Sequence, residues 1–128
     1  MLAVDTNVVV RYLVGDHPEQ SGRARALFAD SEIWISATVL LETAWVLGKS
    51  YGYRPDQIAW SFRLLAGRST VTLQSPERLV RAFSWMDRMD FADALHLAQA
   101  SDAEAFLTFD QRMVRDAAGC GSIPVRKP

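Results

Sequence analysis

Short apolar runs alternate with longer amphipathic segments along the whole chain. The short runs predict strands at residues 2–4, 32–35, 70–73 and 105–109, and at an edge strand, 123–125, where proline is tolerated. The longer segments carry apolar residues at helical spacing and predict helices at about 8–14, 16–30, 37–51, 54–66, 75–89, 91–100 and 111–118. Strands that alternate with helices favour a parallel sheet covered by helices on both faces.

The fold class is therefore predicted to be α/β, and the first strand is expected to be buried. No internal repeat and no linker divides the chain, so we expect one domain that spans residues 1–128. Open parallel sheets place their functional sites at the carboxyl ends of the strands. Asp5 and Asp110 each follow a predicted strand directly and are the first candidates for such a site.

Composition indicates the class of protein and its cellular location, but says little about its function. The chain is 49% hydrophobic and 23% charged with a net charge of −1, as expected for a soluble globular protein large enough to bury a core. The single cysteine, Cys120, excludes an internal disulfide and suits the cytoplasm. The N-terminus lacks a basic region before its apolar run, and no segment is long enough to span a membrane. We expect neither a signal peptide nor a membrane-bound protein.

Four carboxylates interrupt apolar runs, whereas surface carboxylates normally have polar neighbours: Asp5, Glu42, Asp93 and Asp110. Each alone fits a helix cap or a half-exposed acceptor, and Asp5 and Asp110 fit N-caps well. If the four elements converge, like charges about 4 Å apart repel by several kcal/mol. A shared proton or a divalent ion relieves such repulsion. Oxygen ligands alone favour Mg²⁺ or Mn²⁺ over zinc.

Two residues near Asp93 leave its role open. Asp90 lies three positions earlier and either shares a helix face with Asp93 or caps the helix. His96 lies three positions later and fits a His–Asp pair for acid–base chemistry, but no serine or cysteine nucleophile accompanies the pair. We therefore favour a structural or supporting role for His96.

An ordered set of motifs then resembles a known family. The motifs are Val4-Asp5-Thr6-Asn7, the Glu42 helix after Ile35-Ser36, Phe91-Ala92-Asp93-Ala94-Leu95-His96 and Leu107-Thr108-Phe109-Asp110. Together they resemble PIN-domain ribonucleases of the VapC toxin type over nearly the whole chain. The resemblance implies a three-layer PIN-like fold, with a short parallel sheet of four to five strands flanked by helices.

The resemblance also assigns residues. It implies that Asp5, Glu42, Asp93 and Asp110 are the catalytic acids and hold Mg²⁺ or Mn²⁺. It places Asn7 and Thr108 at supporting polar positions, and it leaves Asp90 and Asp116 as further supporting candidates. Whether Glu42 binds metal through water or takes a proton stays open. The implied activity is hydrolysis of RNA phosphodiester bonds by the toxin of a toxin–antitoxin system.

RNA binding requires positive charge near these acids. Without the four candidate acids, eleven of the fifteen Asp and Glu remain against fourteen Lys and Arg, a modest surplus. Arg11, Arg112 and Arg115 lie closest in sequence and are the substrate-binding candidates. The resemblance further implies a homodimer held inactive by a VapB-like antitoxin. Trp60, Leu64 and Trp85 lie off the predicted buried stripes, and fit either such a surface or a larger core.

Three other interpretations compete with a toxin. The chain fits a PIN nuclease of RNA processing, or a PIN-fold interaction protein without catalysis, although all four acid positions are filled. It also shares an aspartate after its first strand with phosphatases of the haloacid-dehalogenase type. Those enzymes carry a second aspartate two residues later, where this chain has Asn7.

Overall fold

A computed structural model describes all 128 residues, which form seven helices and five short strands. The helices are α1 (Thr6–Val14), α2 (Pro18–Asp30), α3 (Ala37–Tyr51), α4 (Pro55–Ala66), α5 (Pro76–Ser84), α6 (Phe91–Gln99) and α7 (Gln111–Asp116). The strands are β1 (Leu2–Ala3), β2 (Ile33–Ile35), β3 (Val71–Leu73), β4 (Phe106–Leu107) and β5 (Val125–Arg126). None of the helices is long and apolar enough to cross a membrane.

The strands pair in parallel, which confirms the predicted α/β fold with a small parallel sheet flanked by helices. β2 is central, with β1 and β3 on its two sides, and β4 pairs with β5 in a separate sheet. The five strands thus form two sheets, where the sequence predicted one. β1 and β4 are each only two residues long, so each satisfies few ladder hydrogen bonds and pairs with one neighbour.

The prediction that the first strand is buried was wrong. Both residues of β1 are exposed, and Leu2 retains 49% of its accessible surface. β1 is an edge strand of only two residues, so it has a neighbouring strand on one side only and is less enclosed than the central strand. Apolar character alone does not separate an edge strand from a central one, and β2, with buried Ile33 and Ile35, holds the centre of the sheet.

The core is one contiguous cluster built mainly by α3, α4, α5, α6 and the central strands. The apolar side chains of Ile58, Phe62 and Leu65 on α4 are buried. Phe62 packs against Phe83 of α5 and Phe91 of α6. The ring centroids of Phe62 lie 5.5 Å from Phe83 and 5.3 Å from Phe91, which is favourable aromatic spacing. The packing of these three rings fixes the position of Phe91, the first residue of α6, which directly follows Asp90.

Helix α3 lies between α1 and α6 and is held at both ends. Its first turn is capped by Ser36, whose Oγ accepts from the Val39 amide at 3.2 Å, and by Gln74, whose Oε1 accepts from the Ala37 amide at 2.9 Å. Gly52 ends the helix with a φ of 69°, a left-handed conformation that glycine adopts without strain. The residues that follow β2 and β3 therefore orient the helix that carries Glu42.

Two helix ends differ from the predicted positions. α5 stops at Ser84 instead of near residue 89, and the Ser84 hydroxyl donates to the Arg81 carbonyl at 2.6 Å, which competes with helical bonding. Met86 and Met89 stay buried in the turn that follows. At the start of α2, the cap is His17, whose Nδ1 accepts from the Gln20 amide at 3.0 Å, although Asp16 is the usual type of capping residue.

We predict that Phe62→Ala lowers the free energy of unfolding by about 3–5 kcal/mol, because it leaves a cavity among three packed rings. Trp60→Ala is the matched control on the same helix, since Trp60 is 65% exposed. It should change the free energy of unfolding by about 0.5 kcal/mol or less. Urea unfolding of both variants measures the difference. Equal effects would contradict the packing described for α4.

Candidate functional site

Four of the candidate acids lie at helix N-termini, three of them at the cap positions that their sequence neighbours had indicated. Asp5, Asp90 and Asp110 are the N-cap residues of α1, α6 and α7, and Asp93 lies in the first turn of α6. The backbone amides at a helix N-terminus carry partial positive charge and favour carboxylates there. Glu42 is the exception, because it lies in the second turn of α3. Local helix ends thus offset part of the repulsion between these acids.

Asp5 and Asp110 are caps, as one of the two interpretations from sequence held. Oδ1 of Asp5 accepts from the Thr6 amide at 2.8 Å, and Oδ1 of Asp110 accepts from the Arg112 and Met113 amides at 2.9 and 3.2 Å. In both residues Oδ2 receives no hydrogen bond from the protein. Capping therefore uses one carboxylate oxygen and leaves the other free for a cation.

The structure brings Asp90, Asp93 and Asp110 close enough for their charges to interact. Burial raises the pKa of half-buried Asp93, and the carboxylates of Asp90 and Asp110 raise it further, while His96 lowers it. Although Asp90 occupies the N-cap position, its side chain makes no capping hydrogen bond. Its carboxylate is therefore available to the site, while Thr108 supports Asp110 by accepting from its backbone amide at 3.0 Å.

Glu42 connects these acids with Asp5. The exposed Glu42 side chain lines a groove of about 350 Å³ together with Asp5, Asn7 and Arg11. It also lines a larger groove of about 800 Å³ that contains Asp90. Because α3 packs between α1 and α6, Glu42 lies between the Asp5 side and the Asp90 side of the site.

The structure does not gather all the acids at one point. No three Asp, Glu, His or Cys side chains lie close enough together to hold a metal ion. Asp5 and Glu42 share one groove, and Asp93 interacts with Asp90 and Asp110, so the four-acid metal site stays a prediction. The donor chemistry fits Mg²⁺ or Mn²⁺, since every candidate ligand is a carboxylate and the negative charge around Asp93 is opposed only by His96.

Asp116 and Arg115 are placed less favourably for these roles than the other candidates. Arg115 donates to Asp116 at 2.9 Å, and this hydrogen bond lowers the pKa of Asp116. The guanidinium of Arg115 and the carboxylate of Asp116 therefore pair with each other at the surface. Arg112 is exposed and its guanidinium has no hydrogen-bond partner, while its backbone amide donates to Oδ1 of Asp110. Of the two arginines on α7, Arg112 is the one free to meet an anion.

Arg11, the nearest cation to Asp5 in sequence, makes a network that the sequence did not predict. Its Nε donates to Gln20 at 2.8 Å, and its Nη1 contacts the Tyr51 hydroxyl at 3.2 Å and Asp16 at 3.5 Å. The Tyr51 hydroxyl donates to Asp16 at 3.1 Å. The network joins α1, α2 and the last residue of α3, and it places Tyr51 in the groove wall beside Asp5. These partners lie up to forty residues apart, so no local motif indicates them.

Comparison with protein-family models gives one match, to the family described as PIN domain, over residues 2–119. Proteins of this family are generally metal-dependent nucleases, so the match supports a hydrolase that acts on nucleic acid. No curated protein and no solved structure matches the chain.

We predict that Asp93→Asn stabilises the metal-free protein at neutral pH. Because the folded state raises the pKa of Asp93 above its ordinary value of 3.8, stability from this group is fully present below that value. The stability is lost as pH rises through the folded pKa, and a neutral amide avoids the loss. Thermal unfolding in EDTA should therefore show a higher midpoint for the variant at neutral pH, and no difference below the ordinary carboxyl pKa.

Asp87→Asn is the control for this measurement, because Asp87 is an exposed carboxylate without a hydrogen-bond partner in the turn before α6. It should leave the midpoint unchanged. A stabilisation by Asp87→Asn as large as that by Asp93→Asn would show that net charge, and not the surroundings of Asp93, causes the effect.

Proposed function

Because the chain belongs to the PIN domain family, we propose that it is a Mg²⁺- or Mn²⁺-dependent endoribonuclease and the toxin of a VapBC-type toxin–antitoxin system. Its substrate is RNA, and residues 1–128 act as one domain. We place the protein in the cytoplasm, where a free cysteine such as Cys120 stays reduced.

The observation that carries this proposal is the half-buried Asp93, whose charge interacts with those of Asp90 and Asp110. A carboxylate whose pKa is raised first by burial and then by two like charges is a site of unbalanced negative charge, and perturbed groups of this kind concentrate at functional sites. No arginine or lysine of the chain pairs with Asp93, because the four ion pairs involve other acids. The charge therefore favours a cation from solution.

Asp5, Asp93 and Asp110 are the residues that would hold the cation, with Glu42 beside Asp5. A divalent ion supplies orientation of the attacking water and neutralisation of charge on the phosphate. The protein's own groups supply the rest. Glu42 is exposed in the groove it shares with Asp5, where it either receives the proton of the attacking water or reaches the ion through water. The amide of Asn7 lines the same groove and can orient a phosphate oxygen by hydrogen bonding.

Exposed apolar side chains support the proposed protein partners. Trp45 is 63% exposed, Trp60 65% and Leu64 52%, and Trp45 lines the large groove that reaches Asp90. Exposed tryptophans on adjoining helices are typical of interaction surfaces. They support a homodimer and a VapB-like antitoxin, and the groove at Trp45 would allow a bound partner to reach the acids.

The main alternative is a PIN nuclease of RNA processing, which shares the site and differs in biological role. A silent interaction protein is disfavoured, because the carboxylates are present and Asp90 is left without a capping bond. Membership of the PIN family leaves the phosphatase interpretation without support.

We predict that the purified protein cleaves single-stranded RNA with Mg²⁺ or Mn²⁺ and that EDTA abolishes cleavage. Asp93→Asn and Asp5→Asn should lower the rate about 100-fold or more, since each removes a ligand charge. Asn retains an N-cap acceptor, so Asp5→Asn leaves the start of α1 intact. Cleavage of a fluorescent oligoribonucleotide measures the rate.

Asp87→Asn again serves as the control and should cleave like the original protein. Full activity in Asp93→Asn, at a metal concentration that saturates the original protein, would refute the assignment of the site. Failure of the original protein to cleave RNA with either metal would instead favour the interaction protein.

We predict that expression of the chain in a bacterial host arrests growth, because unrestrained cleavage of cellular RNA stops protein synthesis. Expression of Asp93→Asn at an equal level should permit growth. Colony counts after induction measure the effect. Normal growth with an enzyme that is active in vitro would favour the RNA-processing nuclease over the toxin.

A further inference from the structure

A second groove lies directly beside the candidate site, between α1 and α2. Its volume is about 390 Å³, and its apolar floor is formed by Val8, Ala24 and Leu27. Asn7 and Arg11 line both this groove and the groove that contains Asp5 and Glu42. The two grooves are therefore adjacent, separated by the side chains of Asn7 and Arg11, and a chain-like ligand bound at the acids would pass over these residues to reach the second one.

The second groove differs from its neighbour in charge. It is lined by two arginines, Arg11 and Arg23, and by no acidic residue, whereas the neighbouring groove contains Asp5 and Glu42. Arg23 is exposed and takes part in none of the four ion pairs. Arg11 uses Nε and Nη1 within the protein, and its Nη2 makes no hydrogen bond. Arg11 is partly neutralised by its ion pair with Asp16 at 3.5 Å, so the groove offers an anion the unpaired cation of Arg23 and the free Nη2 donor of Arg11.

The polar groups at the rim complement the apolar floor. The side-chain amide of Gln20 accepts from Arg11 through its oxygen, which leaves its NH₂ group to donate outward. Asn7 adds a second amide at the junction of the two grooves. An apolar floor with a few amide groups and a guanidinium at its edge is the chemistry that accepts a planar base and its phosphate.

We propose that this α1–α2 groove binds one nucleotide of single-stranded RNA next to the scissile phosphodiester. Its base lies on the floor of Val8, Ala24 and Leu27, and its phosphate meets Arg23 and the free Nη2 of Arg11. This inference rests on the proposed ribonuclease function. It assigns Arg23, a residue that sequence proximity to the acids did not single out, to substrate binding.

Arg23→Gln tests the proposal, with Arg63→Gln as the matched control. Arg63 is also an exposed helical arginine without an ion pair, but it lies on α4, which packs against α3, α5 and β3. We expect Arg23→Gln to raise the KM for an oligoribonucleotide about fivefold, with kcat nearly unchanged, because it removes binding shared by ground and transition states. Arg63→Gln should leave both constants unchanged.

Binding without cleavage provides an independent measurement. In the Asp93→Asn background, fluorescence anisotropy of a labelled oligoribonucleotide should show weaker binding when Arg23→Gln is added. The slope of log affinity against log salt should also fall by about 0.7, as expected for one lost phosphate contact on a single strand. Oligoribonucleotides shortened one nucleotide at a time from either end then locate the contact. One series should become insensitive to Arg23→Gln when the nucleotide in the groove is removed.

The outcomes separate this inference from the function on which it rests. Metal-dependent cleavage by the original protein, with equal KM and equal salt slopes for Arg23→Gln and Arg63→Gln, would overturn the nucleotide site and leave the ribonuclease intact. A sensitivity to Arg23→Gln that persists for every shortened substrate would also overturn it, because the effect would then be long-range charge. No cleavage by the original protein would refute the function itself.

Discussion

The repulsion among carboxylates is the constraint on which the candidate site depends. Burial raises the pKa of Asp93, Asp90 and Asp110 are close enough to raise it further, and no arginine or lysine pairs with it. Placement at helix N-termini makes this arrangement tolerable, because the amides of α1, α6 and α7 face negative charge. The backbone thus offsets part of the negative charge, and the remaining imbalance is the charge that the proposed cation would balance.

Packing and site geometry are linked through α6. Phe91 begins this helix between Asp90 and Asp93, and its ring packs against Phe62 and Phe83 in the core. On the other side of the site, α3 carries Glu42 and is anchored at its first turn by side chains that follow β2 and β3. The acids therefore lie within helices or at their N-caps, next to packed core residues, which suits a site whose ligands must keep fixed positions.

The sequence predicted the order and type of nearly every element, because helix caps and apolar spacing are local signals. α3 and α4 begin and end where their capping residues and glycines indicate. Exposure of β1 was not predictable in this way, since it depends on which strands find partners. The same limit applies to the site. Asp5 and Asp110 could be recognised as capping acids, but the links from Arg11 to Tyr51 and from Arg78 to Asp102 depend on tertiary contacts.

The double role of Asp5 and Asp110 has a consequence for how this protein can change over evolutionary time. Each carboxylate starts a helix with one oxygen and offers the other to the site. Asparagine preserves the first role and removes the charge needed for the second. Under the proposed function, a single nucleotide change in an Asp codon therefore separates a nuclease from a folded protein that has lost its chemistry. Catalysis can be lost at these positions while the fold, and any surface for partners, is inherited unchanged.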